Sequence, residues 1–280
     1  MKLKQKILVA YLRAKLKVLS FFSKKKAAES AFDIFCTPFR KSKRKEPGIF
    51  KEGETLSFTL EGYTIYGHRW NRAGAKRILI AHGFESSSKN FDKYIGLLVK
   101  KGYEVIAFDA PAHGRSSGNR LTLPLYLSTI RKVYELYGPI DGFLAHSYGG
   151  LIVSLFLEEL RSDRPIKAVF IAPATETSAT LRLFFRFLRL DNDVRNEFER
   201  HIFELSGNWP AYYSIRRAVQ TVGAEILWFH DEDDDLTPLE DALRVQEDNH
   251  PNIRFRISKG LGHRRIYRDE HTIRETVDFL

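Results

Sequence analysis

The chain has 280 residues, 43% of them hydrophobic, enough to bury the core of one large α/β domain. Its net charge of +10 sits at one end: residues 1–47 hold fourteen Lys and Arg against three acids, and residues 48–280 hold 31 against 32. The near-neutral body excludes a basic nucleic-acid-binding surface, the single Cys36 excludes an internal disulfide, and no run of about 18 uncharged apolar residues predicts a membrane span.

The first segment, MKLKQKILVAYLRAKLKVLSFFSKKK, opens like a signal peptide. Its apolar run ILVAYL stops short at Arg13 and no small-x-small cleavage site follows, so a cytoplasmic location is expected and export is not. Leu3, Ile7, Tyr11, Ala14, Val18 and Phe21 recur every three or four residues, while Lys2, Lys6, Arg13, Lys17 and Lys24 share another face. Residues 1–24 therefore predict a basic amphipathic helix. Such a helix lies on an anionic membrane surface, or packs on its own domain or on a partner chain. RKSKRKEPG (40–48) reads as a solvated linker, so 1–47 is taken as an arm and 48–280 as the body.

From residue 55 the pattern alternates between strand and helix. TLSFTL and YTIYGHRW, separated by Glu61-Gly62, predict a hairpin. Short apolar runs at 77–83, 103–110, 140–147, 166–174, 224–231 and 252–258 predict buried strands. Helical stretches follow at NFDKYIGLLVKKG, at about 122–137, at YGGLIVSLFLEEL, at about 238–247 and at the C-terminus. This alternation predicts a mostly parallel sheet covered on both faces, with ligands binding beyond the carboxyl ends of the strands. His82, Asp109, Ser147 and Asp234 all fall at those ends.

LAHSYGG places Ser147 between a strand and a helix, with Ala145, Gly149 and Gly150 as the small neighbours that a sharp strand-to-helix turn requires. The turn lifts the hydroxyl above the sheet and aims a helix N-terminus at it. This segment resembles the G-x-S-x-G elbow of the serine α/β-hydrolases, in the branch of lysophospholipases, monoacylglycerol lipases and serine aminopeptidases. Ala145 replaces the first glycine. LIAHGFESS resembles the family's loop after the third strand, which implies an oxyanion hole from the amides of Phe84 and Tyr148. FDAPAHGRSSG resembles the family's D-x-P-G-H-G-x-S loop, with Ala112 for one glycine, and implies loop-holding roles for Asp109 and His113. His82 reads as a loop organiser and as a candidate pocket residue. The fold implied is an eight-stranded, mostly parallel sheet with helices on both faces and a helical lid.

A serine hydroxyl needs a base. SKGLGHRRIYRD puts His263 in a Gly-flanked loop after the last predicted strand, where the resemblance places the family's histidine. The acid belongs between the two, at a strand's carboxyl end. FHDEDDDLTP (229–238) lies there and resembles the family's H-G-x-x-D-x-x-V-P, with Asp231 for the glycine and Thr237 for the valine; the acid position is then Asp234, with Asp233 as the rival. A calcium loop is the other reading of five clustered acids, but the alternate-position spacing and terminal glutamate are absent. Neither a metal nor a cofactor is expected.

Residues 175–222 break the alternation, where the family inserts a lid. Phe184, Phe185 and Trp209 there are candidate pocket residues for a hydrophobic acyl group, or simply dock the lid to the core. The expected function is hydrolysis of a carboxylic ester, as small molecule or acyl lipid, through an acyl-enzyme on Ser147. Acyl transfer and amide, thioester or C–C hydrolysis use the same three residues. A non-catalytic binding or membrane-surface protein on the same scaffold is the reading from a different class. Oligomeric state is not legible.

Overall fold

The computed structural model describes residues 3–39 and 44–280. Eight strands run β1 Glu54–Leu60, β2 Tyr63–Trp70, β3 Arg77–Ala81, β4 Glu104–Phe108, β5 Gly142–His146, β6 Lys167–Ile171, β7 Glu225–Asp231 and β8 Ile253–Ser258. The helices are α1 Leu3–Phe22, α2 Lys24–Cys36, α3 Asp92–Lys100, α4 Leu123–Tyr137, α5 Tyr148–Glu159, α6 Thr177–Leu188 and α7 Asn192–Ser206. They continue with α8 Ile215–Ala218, α9 Leu239–Glu247, α10 Gly262–Arg265 and α11 Glu270–Phe279. Among the described residues no helix is long and apolar enough to cross a membrane.

The chain divides into two compact units: Pro38–Thr175 with Ser214–Leu280, and Met1–Thr37 with Glu176–Tyr213. The first is the α/β unit. Its sheet has the order β1-β2-β4-β3-β5-β6-β7-β8, antiparallel at the β1/β2 and β2/β4 pairs and parallel elsewhere, as the strand-helix alternation predicts. Glu61 and Gly62, both at positive φ, make the hairpin turn between β1 and β2. Strands β3 to β7 read as apolar runs because both faces are covered. Ile78, Ile80, Val105, Leu144, Val169, Ile171, Leu227 and Phe229 join one core with Phe91, Tyr94, Ile95 and Leu98 of the α3 region and Ile273 and Val277 of α11. On the alternate positions Phe143 meets Phe156 of α5, which in turn meets Tyr134 of α4.

The second unit is helical. Leu16 of α1, Ala27, Ala28 and Ala31 of α2, Leu181, Phe185 and Leu188 of α6, and Val194 and Phe198 of α7 form its core. The alanines let α2 approach α7 closely, and Phe198 lies within 5.1–6.0 Å, ring to ring, of Phe32, Phe35, Phe184 and Phe185. Ser23 caps α2 and Asp191 caps α7 through their side chains, and Lys24 reaches Asp191 at 2.8 Å.

Three expectations differ from what is observed. The first 37 residues group with 176–213, so the cut falls before Pro38 and not after 47, because the apolar seams of α1 and α2 pair with those of α6 and α7. The stripe expected to be the apolar side of α1 is not the buried one: Leu12, Leu16 and Leu19 face the helical core while Leu3, Ile7, Tyr11, Val18 and Phe21 are exposed. The linker expected at 40–48 falls partly on residues 40–43, outside the described residues. From Arg44 on the segment is tied down, with the guanidinium bidentate on Asp92 and Glu46 facing Lys89.

Candidate active site

Ser147 sits at the turn between β5 and α5 with φ 55° and ψ −122°. This backbone region disfavours side chains, and the surrounding packing holds it there. Small residues make the packing possible. A Cβ on Gly149 would come 2.4 Å from the Ala81 carbonyl oxygen, and one on Gly83 would come 2.9 Å from the Ser147 Cβ. The loop after β3 therefore lies directly against the serine, and the Phe84 and Tyr148 rings meet edge-on at 6.3 Å.

The hydroxyl oxygen of Ser147 is 2.9 Å from His263 Nε2, and His263 Nδ1 is 2.8 Å from Asp234 Oδ2. Asp234 is the carboxylate on the imidazole, and Asp233 is not. Asp234 also accepts the amides of Leu236 and Thr237 at Oδ1, and the Thr237 hydroxyl at Oδ2, 2.7 Å away. Burial alone would push this carboxyl up; the His263 hydrogen bond and charge and the two Thr237 donors outweigh it, holding the group down at about 2. Thr237 Oγ1 lies 3.1 Å from His263 Nδ1, so it touches both partners of the His263–Asp234 hydrogen bond.

The other acids of the cluster have separate tasks. Buried Asp231 accepts the amides of Asp233, Leu261 and Gly262 and the Ser258 hydroxyl. It thereby ties the loop carrying Asp234 to the loop carrying His263. Burial pushes this carboxyl up, and the four donors bring it below the ordinary value. Asp233 accepts the Gly260 amide at 2.9 Å, and Glu232 pairs with Lys259 at 2.8 Å. Asp231 and Thr237 were visible in the sequence only as departures from the family pattern. A departure toward a hydrogen-bonding side chain was the signal.

The buried histidines around this chain are held by backbone. His146, next to the nucleophile, has Nε2 3.1 Å from the His263 carbonyl oxygen, and its ring lies tilted at 4.8 Å from the His263 ring and 4.4 Å from the Tyr267 ring. Burial, reinforced by the neighbouring His263, depresses it to about 3, so it is neutral and donates from Nε2. His230 bonds the Thr237 carbonyl through Nε2 and accepts from the Trp228 indole at Nδ1. His82 has Nδ1 on the Gly83 carbonyl and accepts the Ala110 amide at Nε2. Both His82 nitrogens are thus engaged by backbone, and neither is offered to a ligand. Asp109 accepts from Ser88 and from the Arg115 amide, and His113 accepts the Glu85 amide.

Of the candidate pocket residues, Phe184 and Phe185 belong to the aromatic core of the helical unit, and Trp209 stacks on Phe203 at its surface.

Residues 73–200 match the family model described as serine aminopeptidase, S33. That stretch carries the elbow and the loop facing it. Over that stretch the chain is similar to the serine α/β-hydrolases. It is 31% identical over 99 residues to the uncharacterized hydrolase YugF of Bacillus subtilis, covering 34% of this chain and 36% of that protein. It is 30% identical over 118 residues to the bifunctional esterase/perhydrolase DCH of Acinetobacter calcoaceticus, covering 41% of this chain and 42% of that one. The chain thus spans well under half the length of these two curated relatives. The solved structure of the Pyrococcus furiosus esterase Pf2001 superposes with a TM-score of 0.65 at 21% identity, over 88% of this chain and 97% of that one, a likeness of fold.

Proposed function

We propose that this α/β-hydrolase cleaves carboxylic esters through an acyl-enzyme on Ser147. The observation that carries the reading is the unbroken line from Ser147 Oγ to His263 Nε2 at 2.9 Å and from His263 Nδ1 to Asp234 at 2.8 Å. DCH and Pf2001 are both esterases, which favours an ester as the substrate class.

In the resting state the serine hydroxyl donates to His263 Nε2, and His263 Nδ1–H donates to Asp234. As Ser147 Oγ bonds to the ester carbonyl carbon, its proton passes to Nε2. Asp234, ionised at any neutral pH, stabilises the imidazolium without taking its proton. The carbonyl oxygen becomes an oxyanion facing the amides of Phe84 and Tyr148 and the N-terminus of α5, donors worth about 3–4 kcal/mol each in such sites. The intermediate collapses when Nε2 returns the proton to the leaving alkoxide. Water then repeats the sequence on the acyl-serine and releases the acid. Asp231 and His146 touch no reacting atom; they position the loop and the backbone from which His263 projects.

A fluorophosphonate probe, which phosphylates only activated serines, tests the reading. Wild-type protein is expected to label one-to-one, with labelling and turnover of an activated ester both abolished by Ser147→Ala. Well-folded protein that neither labels nor turns over esters would leave a binding module on a hydrolase scaffold.

A further inference from the structure

Helix α1 carries two apolar faces, and the fold uses one. Leu12, Leu16 and Leu19, spaced by four and three, turn one side into the helical core, with Leu16 fully buried. At 100° per residue, Leu3, Ile7, Tyr11, Ala14, Val18 and Phe21 centre roughly 180° away. Their exposure is that of unpartnered side chains: Leu3 74%, Ile7 61%, Tyr11 60%, Val18 58% and Phe21 85%. About five turns of helix therefore present an apolar ridge on the outside of the helical unit, with Phe22 beside it at 79% exposure. A packed helix needs one such stripe, and a second exposed stripe of this length marks a surface that is covered by something else.

The charges say by what. Lys6 and Lys17 border the ridge on one side and Lys15 borders it on the other, all exposed. Of the cations grouped on one face by periodicity, Lys2 lies outside the described residues. Arg13 and Lys24 are engaged inside the helical unit: the Arg13 guanidinium holds the Phe187 carbonyl, and the Lys24 ammonium holds Ser20 and Asp191. No acid occurs between residues 1 and 28, so nothing on α1 would repel an anionic surface. Apolar side chains flanked on both edges by lysines, whose stems extend their ammonium groups outward, match the depth profile of a bilayer interface: hydrocarbon at the centre, anionic headgroups at the margins.

We propose that the outer face of α1, centred on Ile7, Tyr11, Val18 and Phe21, docks parallel to the surface of an anionic lipid bilayer, held by Lys6, Lys15 and Lys17 at its borders. The inner face keeps its contacts with α2 and α6, so the helix stays folded in the unit and serves as a hinge-free anchor.

The test is sedimentation of the full chain with vesicles of phosphatidylcholine alone or mixed with phosphatidylglycerol. The chain is expected to sediment with the mixed vesicles and at least about tenfold more weakly with phosphatidylcholine alone, and added salt should release it. Ile7→Glu with Val18→Glu should weaken partitioning more than about tenfold, and Lys6→Glu with Lys17→Glu by a similar factor, since each lysine near the surface is worth about fivefold. These side chains are exposed, so both double variants should keep the wild-type circular dichroism and ester turnover. As an independent readout, Phe21→Trp should add a blue-shifted emission with mixed vesicles that brominated lipid quenches. Wild-type sedimentation by either double variant, or no sedimentation of the wild type, overturns the proposal. So does a concentration-dependent dimer that Ile7→Glu with Val18→Glu dissolves in a chain that ignores vesicles, because the ridge would then belong to a second copy.

Discussion

Each of the two units of this molecule has an interior of its own kind. In the helical unit the core is built from Leu, Phe, Ala and Val, and among the described residues no charged side chain or histidine is buried with them. In the α/β unit the same burial is shared by His82, Asp109, His113, His146, His230, Asp231, Thr237 and His263, nearly all with backbone partners. Apolar contact is non-directional and tolerates exchange of side chains of similar volume. A buried hydrogen-bond network permits one arrangement, and that is what holds an imidazole at hydrogen-bond distance, 2.9 Å, from a hydroxyl. The difference separates what the units can do. One can specify chemistry; the other can present a surface.

The largest effect that would break this comparison lies in the hydrogen-bonded line itself. His263→Ala removes the base and should lower kcat on the order of a million-fold with stability little changed. Asp234→Asn keeps the size of the side chain but offers His263 the wrong tautomer, and should cost on the order of ten-thousand-fold. Both are read from steady-state turnover of an activated ester. A variant retaining a tenth of wild-type kcat would show that the line of hydrogen bonds does not carry the reaction.

In the helical unit the corresponding change acts on stability. Phe198→Ala removes the ring on which Phe32, Phe35, Phe184 and Phe185 converge and should destabilise that unit by about 3–5 kcal/mol. Hydrogen exchange read by mass spectrometry localises the loss. Amides of α2 and α7 should lose protection while those of β3 to β7 keep theirs. Equal loss in both would mean that the two cores unfold as one, and the contrast drawn above would fail at the level of energetics.

How far the sequence could be read follows the same division. Strands β3 to β7 were legible because burial on both faces leaves an unmistakable apolar run, and Ser147 because a sharp turn forces small residues at fixed offsets. The helical unit was not. A helix with two apolar stripes has one periodicity, and nothing in α1 alone tells which stripe meets a partner; Leu16 and Val18 are equally hydrophobic, and only the presence of α2 and α6 decides between them. Phe184 and Phe185 raise the same ambiguity, since an aromatic bound for a helical core and one bound for a ligand read alike. Within the site, Asp231 was hidden for a different reason. Its partners, the amides of Leu261 and Gly262, are about 30 positions away and carry no side-chain signature.

The smallest effect sharpens the comparison by pH. His146 is neutral when folded, depressed to about 3 by burial first and by His263 next, while an unfolded histidine titrates near 6.5. Between those values the unfolded chain binds the proton and the folded chain does not. Stability therefore rises with pH across this window and is lost as the pH falls below about 6.5, by up to about 1.4 kcal/mol per unit for this one group. His82 and His230 are depressed in the same direction, chiefly by burial, and add to the slope. At pH 5 the His146 share is about 2 kcal/mol. Glutamine keeps a donor for the His263 carbonyl without the titration, so His146→Gln should show a shallower fall in urea-unfolding free energy between pH 7.5 and pH 5, by about that amount. Parallel slopes for wild type and variant would mean that His146 is already charged in the folded chain. A charged ring at that position would repel the imidazolium on which the proposed chemistry depends, and the hydrogen bond from His146 Nε2 would then have to be read as an ion-dipole contact that weakens the base and does not position it.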